Sequence, residues 1–306
     1  MRAFVLRNVV LRRILNKILL CFALVVPVSF AGEPGIERDM SYVSDGLPDQ
    51  RMDVYWPENA PSAAILFIHG GSLQESGERR SSPVYRDVCR PFADAGLACA
   101  TIDYRLAPRY QWPAMPNDVA SALSKLRALV AKHGGDPQQL FLFGHSSGCH
   151  LAAVLATNRT YLELVGLKPS DLAGVIAMGC TLDRYDAALR GITVDQIRKS
   201  FEGDREEVAT YGTPENWMSA NPARYVGHHV PPTLVLVARS ERFMPPVLEQ
   251  GARFVRLLLE FGVPAELEIV PGTHINSVSS MGQPGNLAFK AILEFVQKKQ
   301  LPVKSD

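Results

Sequence analysis

The sequence of 306 residues lacks biased tracts: it has no internal repeat, no low-complexity segment and no run of basic residues. Hydrophobic residues make up 47% of the chain and charged residues 21%, which excludes a disordered, collagen-like or coiled-coil protein. Beyond residue 31 the chain carries 27 of its 32 basic side chains and all 31 acidic ones, a net charge of −4. This mildly acidic body argues against nucleic acid or an anionic membrane as a partner.

Cysteine is scarce, with five residues in the chain, one of which (Cys21) lies in the first 31 residues. The other four are Cys89, Cys99, Cys149 and Cys180, too few for a disulfide scaffold. No CxxC pair or His-rich spacing indicates zinc, so we predict no metal site. We expect the four cysteines to be small buried hydrophobic side chains; an exported chain would permit a bridge, but the sequence does not choose the pairing.

Only one long apolar run is present, from Ile18 to Val28. It follows a head with five basic residues and no acid, and small residues (Ser29 and Ala31) come after it. This pattern predicts a signal peptide over residues 1–31 and export to the periplasm or the medium. An uncleaved membrane anchor is the alternative, but eleven residues are short for a span of about 20. Once the signal is cleaved, we expect no stable membrane span.

Residues 32–306 have a length that suits one α/β domain, and nothing in them specifies an oligomeric state. Short apolar runs bounded by Gly, Pro or Asp predict seven strands: Met52–Trp56, Ala63–Ile68, Ala98–Asp103, Leu140–Phe143, Leu172–Met178, Thr233–Val237 and Ala265–Val270. Helical patterns separate them, marked by Val119, Leu123, Leu126 and Val130, by Leu151–Leu155, by Val255, Leu258 and Leu259, and by Leu287, Ala291, Leu293 and Val296. This alternation predicts a mostly parallel sheet with helices on both faces and a ligand site at the carboxyl ends of its strands.

The longest irregular stretch is Thr181–Val230, which is rich in charge and carries one helical segment near Val194–Phe201. We interpret this stretch as an insertion between two strands, not as a second domain.

The segment Gly144-His145-Ser146-Ser147-Gly148 follows a predicted strand and precedes a helical run. Strand, G-x-S-x-G and helix in this order are typical of a nucleophile elbow, a sharp turn that exposes the serine hydroxyl. Only Ser146 has glycine on both sides at a distance of two residues. The pattern therefore predicts Ser146 as a nucleophile.

A second glycine-rich turn, His69-Gly70-Gly71-Ser72, follows the strand Ala63–Ile68. Small residues let the backbone approach a ligand, so that its N–H groups can bind a developing oxyanion. A plain glycine turn is the alternative.

A nucleophilic serine needs a base, and the base needs an acid that orients it. Of the seven histidines, His274 directly follows the last predicted strand, whereas the others belong to the glycine turn, the elbow, a helix end or loops. Glu241 is the only carboxylate in the loop after Thr233–Val237. The chain order Ser146, Glu241, His274 is that of an α/β-hydrolase triad. A surface Glu241 paired with Arg239 or Arg242 is the alternative.

With these motifs the chain resembles α/β-hydrolase esterases of the hormone-sensitive-lipase-like and bacterial feruloyl-esterase-like group. It shares with them the segments Asp103–Pro108, Gly134–Pro137 and Pro231–Thr233. The resemblance spans about Met52 to Val296 and implies an eight-stranded sheet and cofactor-independent hydrolysis of a small-molecule ester. It also implies that the N–H groups of Gly71, Ser72 and Ser147 form the oxyanion hole.

The chain departs from the group at Ser72 and Ser147, at Cys149, where Gly is common, and at Glu241, where Asp is common. These changes leave the backbone N–H groups that would bind the oxyanion in place, but the shape of the pocket does not follow from the family. We expect short acyl groups and contacts of Trp112, Phe243 or Met244 with the alcohol part of the ester. An amide hydrolase on the same fold and a non-catalytic esterase-like binding protein are the alternatives.

The predicted signal peptide has a direct test. Mass spectrometry of the exported protein is expected to find Gly32 as the new N-terminus, because the small residues Ser29 and Ala31 precede it. A mature chain that still carries Met1–Ala31 contradicts this prediction.

Overall fold

The structure is a computed structural model that describes residues 35–183, 193–241 and 246–300. The predicted signal peptide, and Phe243 and Met244 of the predicted site, lie outside the described residues.

A single sheet of eight strands organises these residues, in the order β1-β2-β4-β3-β5-β6-β7-β8. The first two strands run antiparallel to their neighbours, and β3 to β8 are parallel. The strands are β1 Ile36–Ser41, β2 Arg51–Tyr55, β3 Ala64–Ile68, β4 Ala98–Ile102, β5 Leu140–His145, β6 Gly174–Met178, β7 Thr233–Ser240 and β8 Ala265–Thr273. All seven predicted strands are confirmed.

The strand β1 was not predicted from the sequence. Its residues, Ile-Glu-Arg-Asp-Met-Ser, are mostly polar and lie at the edge of the sheet, and its register with β2 shifts between Glu37 and Met40. An edge strand with an irregular register does not show regular alternation of apolar and polar residues.

Helices cover both faces of the sheet. In the described residues they are α1 Arg90–Asp94, α2 Ala114–Lys132, α3 Ser147–Thr157, α4 Thr160–Glu163, α5 Val194–Gly203, α6 Arg205–Tyr211, α7 Pro214–Ser219, α8 Pro246–Glu260, α9 Asn276–Ser279 and α10 Leu287–Gln300. Because strand side chains alternate, Leu140 and Leu142 of β5 join one core with α2, α3 and α8, whereas Phe141 and Phe143 join the other with α1 and α10. Two residues of the predicted helix faces, Leu259 and Leu287, are exposed.

The insertion between β6 and β7 contains more helix than we predicted. Instead of one helical segment, its described part holds α5, α6 and α7 and the 3₁₀ turn Pro222–Tyr225. Side-chain caps begin the three helices: Thr193, Asp204 and Thr213 each accept hydrogen bonds from backbone N–H groups of the first turn. Helices this short and polar depend on caps more than on an apolar period.

No helix in the described ranges is long and apolar enough to cross a membrane.

The four cysteines are buried, as expected, and they pair in two disulfides that the sequence left open: Cys89–Cys99 and Cys149–Cys180, with Cα–Cα distances of 5.2 and 5.8 Å. Cys89 precedes α1, which packs against the strand that carries Cys99. Cys149 lies in the first turn of α3, which packs against β6, and Cys180 follows that strand. The pairs are set by the order of the strands in the sheet, which spacing along the chain does not reveal.

Candidate active site

Ser146 lies in a sharp turn between β5 and α3, with backbone dihedrals of φ 54° and ψ −126°. A side chain at Gly144 would overlap the carbonyl group of Gly148, and one at Gly148 would overlap the carbonyl oxygens of Ile68 and His69. Both glycines are therefore required by the close backbone packing around the turn. The structure confirms the predicted strand–turn–helix context, and the positive φ of Ser146 is the strained backbone that such an elbow stores.

His274 and Glu241 form a buried pair. The Nδ1 atom of His274 lies 2.8 Å from Oε2 of Glu241. Glu241 directly follows β7 and His274 directly follows β8, so parallel neighbouring strands deliver both side chains to one edge of the sheet. A carboxylate can only accept here, so the proton of a neutral imidazole lies on Nδ1 and its Nε2 is the basic nitrogen. The structure thus brings together the predicted base and acid.

Gly179 connects this pair with the cavity in front of Ser146. It follows β6, has a φ of 68° and lines that cavity. A Cβ atom at Gly179 would lie 3.3 Å from Nδ1 of His274 and 3.4 Å from Oε2 of Glu241. Ser146 is held next to the same strand, since its N–H donates to the carbonyl of Met178 (2.9 Å). Serine, histidine and glutamate therefore lie around the carboxyl end of β6.

His145 supports the loop of His274, a role that the sequence reading missed. Its Nε2 lies 2.8 Å from the carbonyl oxygen of His274, and its Nδ1 lies 2.8 Å from the hydroxyl of Tyr85. Burial lowers the pKa of His145 to about 3, so the ring is neutral. Because the carbonyl can only accept, Nε2–H is the donor and the hydroxyl of Tyr85 donates to Nδ1. No sequence motif includes Tyr85, which is 60 residues from His145 in the chain.

The glycine turn after β3 has an unusual backbone. Gly71, Ser72 and Leu73 have φ values of 112°, 59° and 63°. Ser72 joins Ser147 and Ser146 in the wall of the cavity, whereas Gly71 packs so closely against Glu78 that a Cβ would lie 2.5 Å from its backbone nitrogen. A Cβ at Gly70 would lie 2.8 Å from Cβ of Ser146. This turn and the elbow are therefore in direct backbone contact.

His69 is fixed behind this turn and does not line the cavity. Its ring stacks on Tyr104 with centroids 4.4 Å apart, and the hydroxyl of Tyr104 donates to its carbonyl oxygen (2.8 Å). The Oδ1 atom of Asp103 lies 3.6 Å from Nε2 of His69. Burial lowers the pKa of His69 to about 4 despite this carboxylate, so the ring is a neutral structural element. Asp103 and Tyr104, from the segment Asp103–Pro108 that the chain shares with the esterase group, thus hold His69 in place.

The cavity has a volume of about 510 Å³, which suits a small ligand. Residues around the elbow and the glycine turn form one side of it, and α6 forms another with Glu206, Glu207, Thr210 and Tyr211. The expected contact of Trp112 with substrate is wrong: this side chain is buried, with its ring centroid 5.5 Å from that of Tyr211. It supports the wall from behind.

In the described part of the chain, no group of three His, Cys, Asp or Glu side chains is placed to hold a metal ion.

The strand order and the elbow define an α/β-hydrolase fold. Residues 52–254 match the model of the BD-FAE family, and the chain belongs to that family. Esterase LipC of Mycobacterium tuberculosis is 31% identical over 220 residues, 69% of this chain and 52% of the relative. Esterase LipU of the same organism is 27% identical over 225 residues, 71% of this chain and 70% of the relative. The chain thus spans about half the length of LipC.

Solved structures show the same fold. A truncated carbohydrate esterase from gut microbiota superposes with a TM-score of 0.69 at 20% identity, covering 87% of this chain and 96% of that one. The butyrate-bound esterase Est2 of Thermogutta terrifontis has a TM-score of 0.66 at 24% identity, covering 87% and 93%. The resemblance inferred from the motifs is confirmed at the level of family and fold.

The two buried neutral histidines make stability depend on pH. Their folded-state pKa values, about 4 for His69 and about 3 for His145, lie below the unfolded value of about 6.5. The unfolded chain therefore binds more protons below pH 6.5, and the unfolding free energy is expected to fall steadily from pH 6.5 towards pH 4. Urea unfolding at a series of pH values measures this slope, and His145→Gln is expected to reduce it. A free energy that stays constant over this range contradicts the assignment.

Proposed function

We propose that the protein is a serine carboxylic-ester hydrolase in which Ser146, His274 and Glu241 form the catalytic triad. The observation that carries this proposal is the 2.8 Å hydrogen bond between His274 and Glu241 at the same sheet edge as the strained elbow of Ser146. The names of the related proteins, among them esterases and carboxylesterases of Mycobacterium tuberculosis, support it.

In the proposed mechanism Ser146 Oγ attacks the ester carbonyl while His274 Nε2 removes its proton. The resulting imidazolium then protonates the leaving alcohol, and water hydrolyses the acyl-enzyme by the same steps. Glu241 holds the proton of His274 on Nδ1 and stabilises the positive charge that develops on the ring. N–H groups of Gly71, Ser72 and Ser147 are proposed to bind the oxyanion.

Hydrogen bonds behind His274 support this chemistry. His145 holds the carbonyl of His274 in place, and its own donor and acceptor nitrogens are fixed by Tyr85. Because His145 stays neutral, it adds no positive charge next to the ring that must become protonated. The position of His274 is thus fixed by groups whose charge does not change during the reaction.

Polar groups in the wall of the cavity support the proposal of a preference for short acyl groups. Gln74 Nε2 donates to Oγ1 of Thr210 (2.6 Å), which fixes polar groups in the wall. The carboxylates of Glu206 and Glu207 lie on the same side. A long alkyl chain would displace water from these groups at a cost of about 1–3 kcal/mol for each polar atom left unpaired. We therefore infer a preference for acetyl to butyryl esters.

We also propose export of the mature chain. Its two disulfides support this localisation, because such bonds persist in oxidising compartments and are rare in the cytosol.

Substitutions in the triad test the mechanism. Ser146→Ala and His274→Ala are each expected to lower kcat by several orders of magnitude, and their double variant by little more, since the two groups act as a unit. Glu241→Ala is expected to lose about 10²- to 10⁴-fold. Ser147→Ala is the matched control, because it removes a neighbouring hydroxyl and keeps the backbone N–H. Loss of activity in Ser147→Ala, with retention in Ser146→Ala, contradicts the assignment.

A series of p-nitrophenyl esters tests the acyl preference. The value of kcat/KM is expected to fall from C2–C4 to C12 esters, because a long alkyl chain would displace water from the polar groups of the wall. Matched p-nitroanilides in the same assay report amide hydrolysis. Higher kcat/KM for C12 or C16 esters, with activation at an oil–water interface, contradicts the proposal.

A further inference from the structure

The disulfide Cys149–Cys180 lies inside the candidate active site. Cys149 is in the first turn of α3, the helix that begins directly after Ser146. Cys180 follows Gly179 and lines the same cavity as Ser146. The bond therefore joins the helix of the nucleophile to the wall of the cavity.

The same wall includes Gly179, which packs against the proposed base His274 and the proposed acid Glu241. Gly179 leaves room for His274 and Glu241, which a Cβ at this position would contact at 3.3 and 3.4 Å. The N–H of Gly179 donates to Leu236 of β7 (3.0 Å), and the chain then leaves the sheet. The disulfide holds the segment one residue beyond that last contact with the sheet.

We propose that the Cys149–Cys180 disulfide is a positioning element for the triad, which makes esterase activity depend on its oxidation. This inference rests on the proposed function. Without the bond, α3 and the segment around Gly179 are no longer covalently tied, and the distance between Ser146 and the His274–Glu241 pair is less well defined. A misplacement of about 1 Å at reacting groups costs about 100-fold in rate.

Of the two disulfides, this is the one with a residue that lines the cavity, Cys180, and we infer that a small thiol reduces it from there. Its reduction by a dithiol transfers two electrons and two protons to the protein and converts the reductant into a cyclic disulfide. The other disulfide provides an internal comparison. Cys89 and Cys99 are buried in the core on the opposite face of the sheet, with α1 and α10.

Paired double variants test the proposal. Cys149→Ala/Cys180→Ala is expected to lower kcat by about 10- to 100-fold, with a smaller change in KM. Cys89→Ala/Cys99→Ala, the matched control, is expected to keep kcat within about twofold. Titration with a fluorophosphonate counts the reactive serines, so that kcat refers to folded enzyme. Equal kcat values in the two double variants overturn the proposal.

A second measurement covers the case in which the first variant does not fold. Wild-type enzyme is treated with increasing dithiothreitol, alkylated and digested, and mass spectrometry reports which disulfide has opened. Loss of activity, measured before alkylation, is expected to follow reduction of Cys149–Cys180 and not of Cys89–Cys99. Full activity with Cys149–Cys180 reduced, or loss that follows reduction of Cys89–Cys99, overturns the inference. Wild-type enzyme without esterase activity or fluorophosphonate labelling would instead refute the proposed function.

Discussion

The direct backbone contact between the elbow and the end of β3 is the constraint on which the rest of the site depends. A side chain at Gly148 would overlap the carbonyl oxygens of Ile68 and His69, and one at Gly70 would lie 2.8 Å from Cβ of Ser146. With no side chain between them, Ser146 and the glycine turn are held at a fixed separation. The positive φ of Ser146 is maintained by this packing, whose stability comes from the buried strands β3 and β5.

Around this contact, histidines that stay neutral are distinct from His274, which lies next to the carboxylate of Glu241. His69 and His145 are fully buried, and desolvation lowers the pKa of each ring. They act as hydrogen-bonding and stacking elements behind the two loops. Glu241 is placed against His274 instead, where a fixed negative charge stabilises an imidazolium. This division fits the proposal that His274, and not one of the neutral histidines, acts as the base.

Much of this arrangement could be predicted from the sequence. The buried parallel strands read as continuous apolar runs, and because ligand sites lie at their carboxyl ends, Ser146, Glu241 and His274 could be assigned from the strands that precede them. The polar edge strand β1, the capped short helices of the insertion, the disulfide pairs and the contacts of Tyr85 could not. Each depends on a register, a cap or a neighbour distant in the chain, which apolar periodicity does not encode. Trp112 was misjudged for a related reason, since it is buried by residues distant in the chain, among them Tyr161 and Tyr211.

The central claim is that Ser146 is a nucleophile activated by His274, and covalent labelling tests it most directly. Wild-type protein is reacted with a fluorophosphonate, digested and sequenced by tandem mass spectrometry, beside the variants His274→Ala and Ser147→Ala. The account predicts one adduct, on Ser146, that is retained in Ser147→Ala and forms far more slowly in His274→Ala. An adduct on Ser147, or labelling of Ser146 at an unchanged rate without His274, would contradict it.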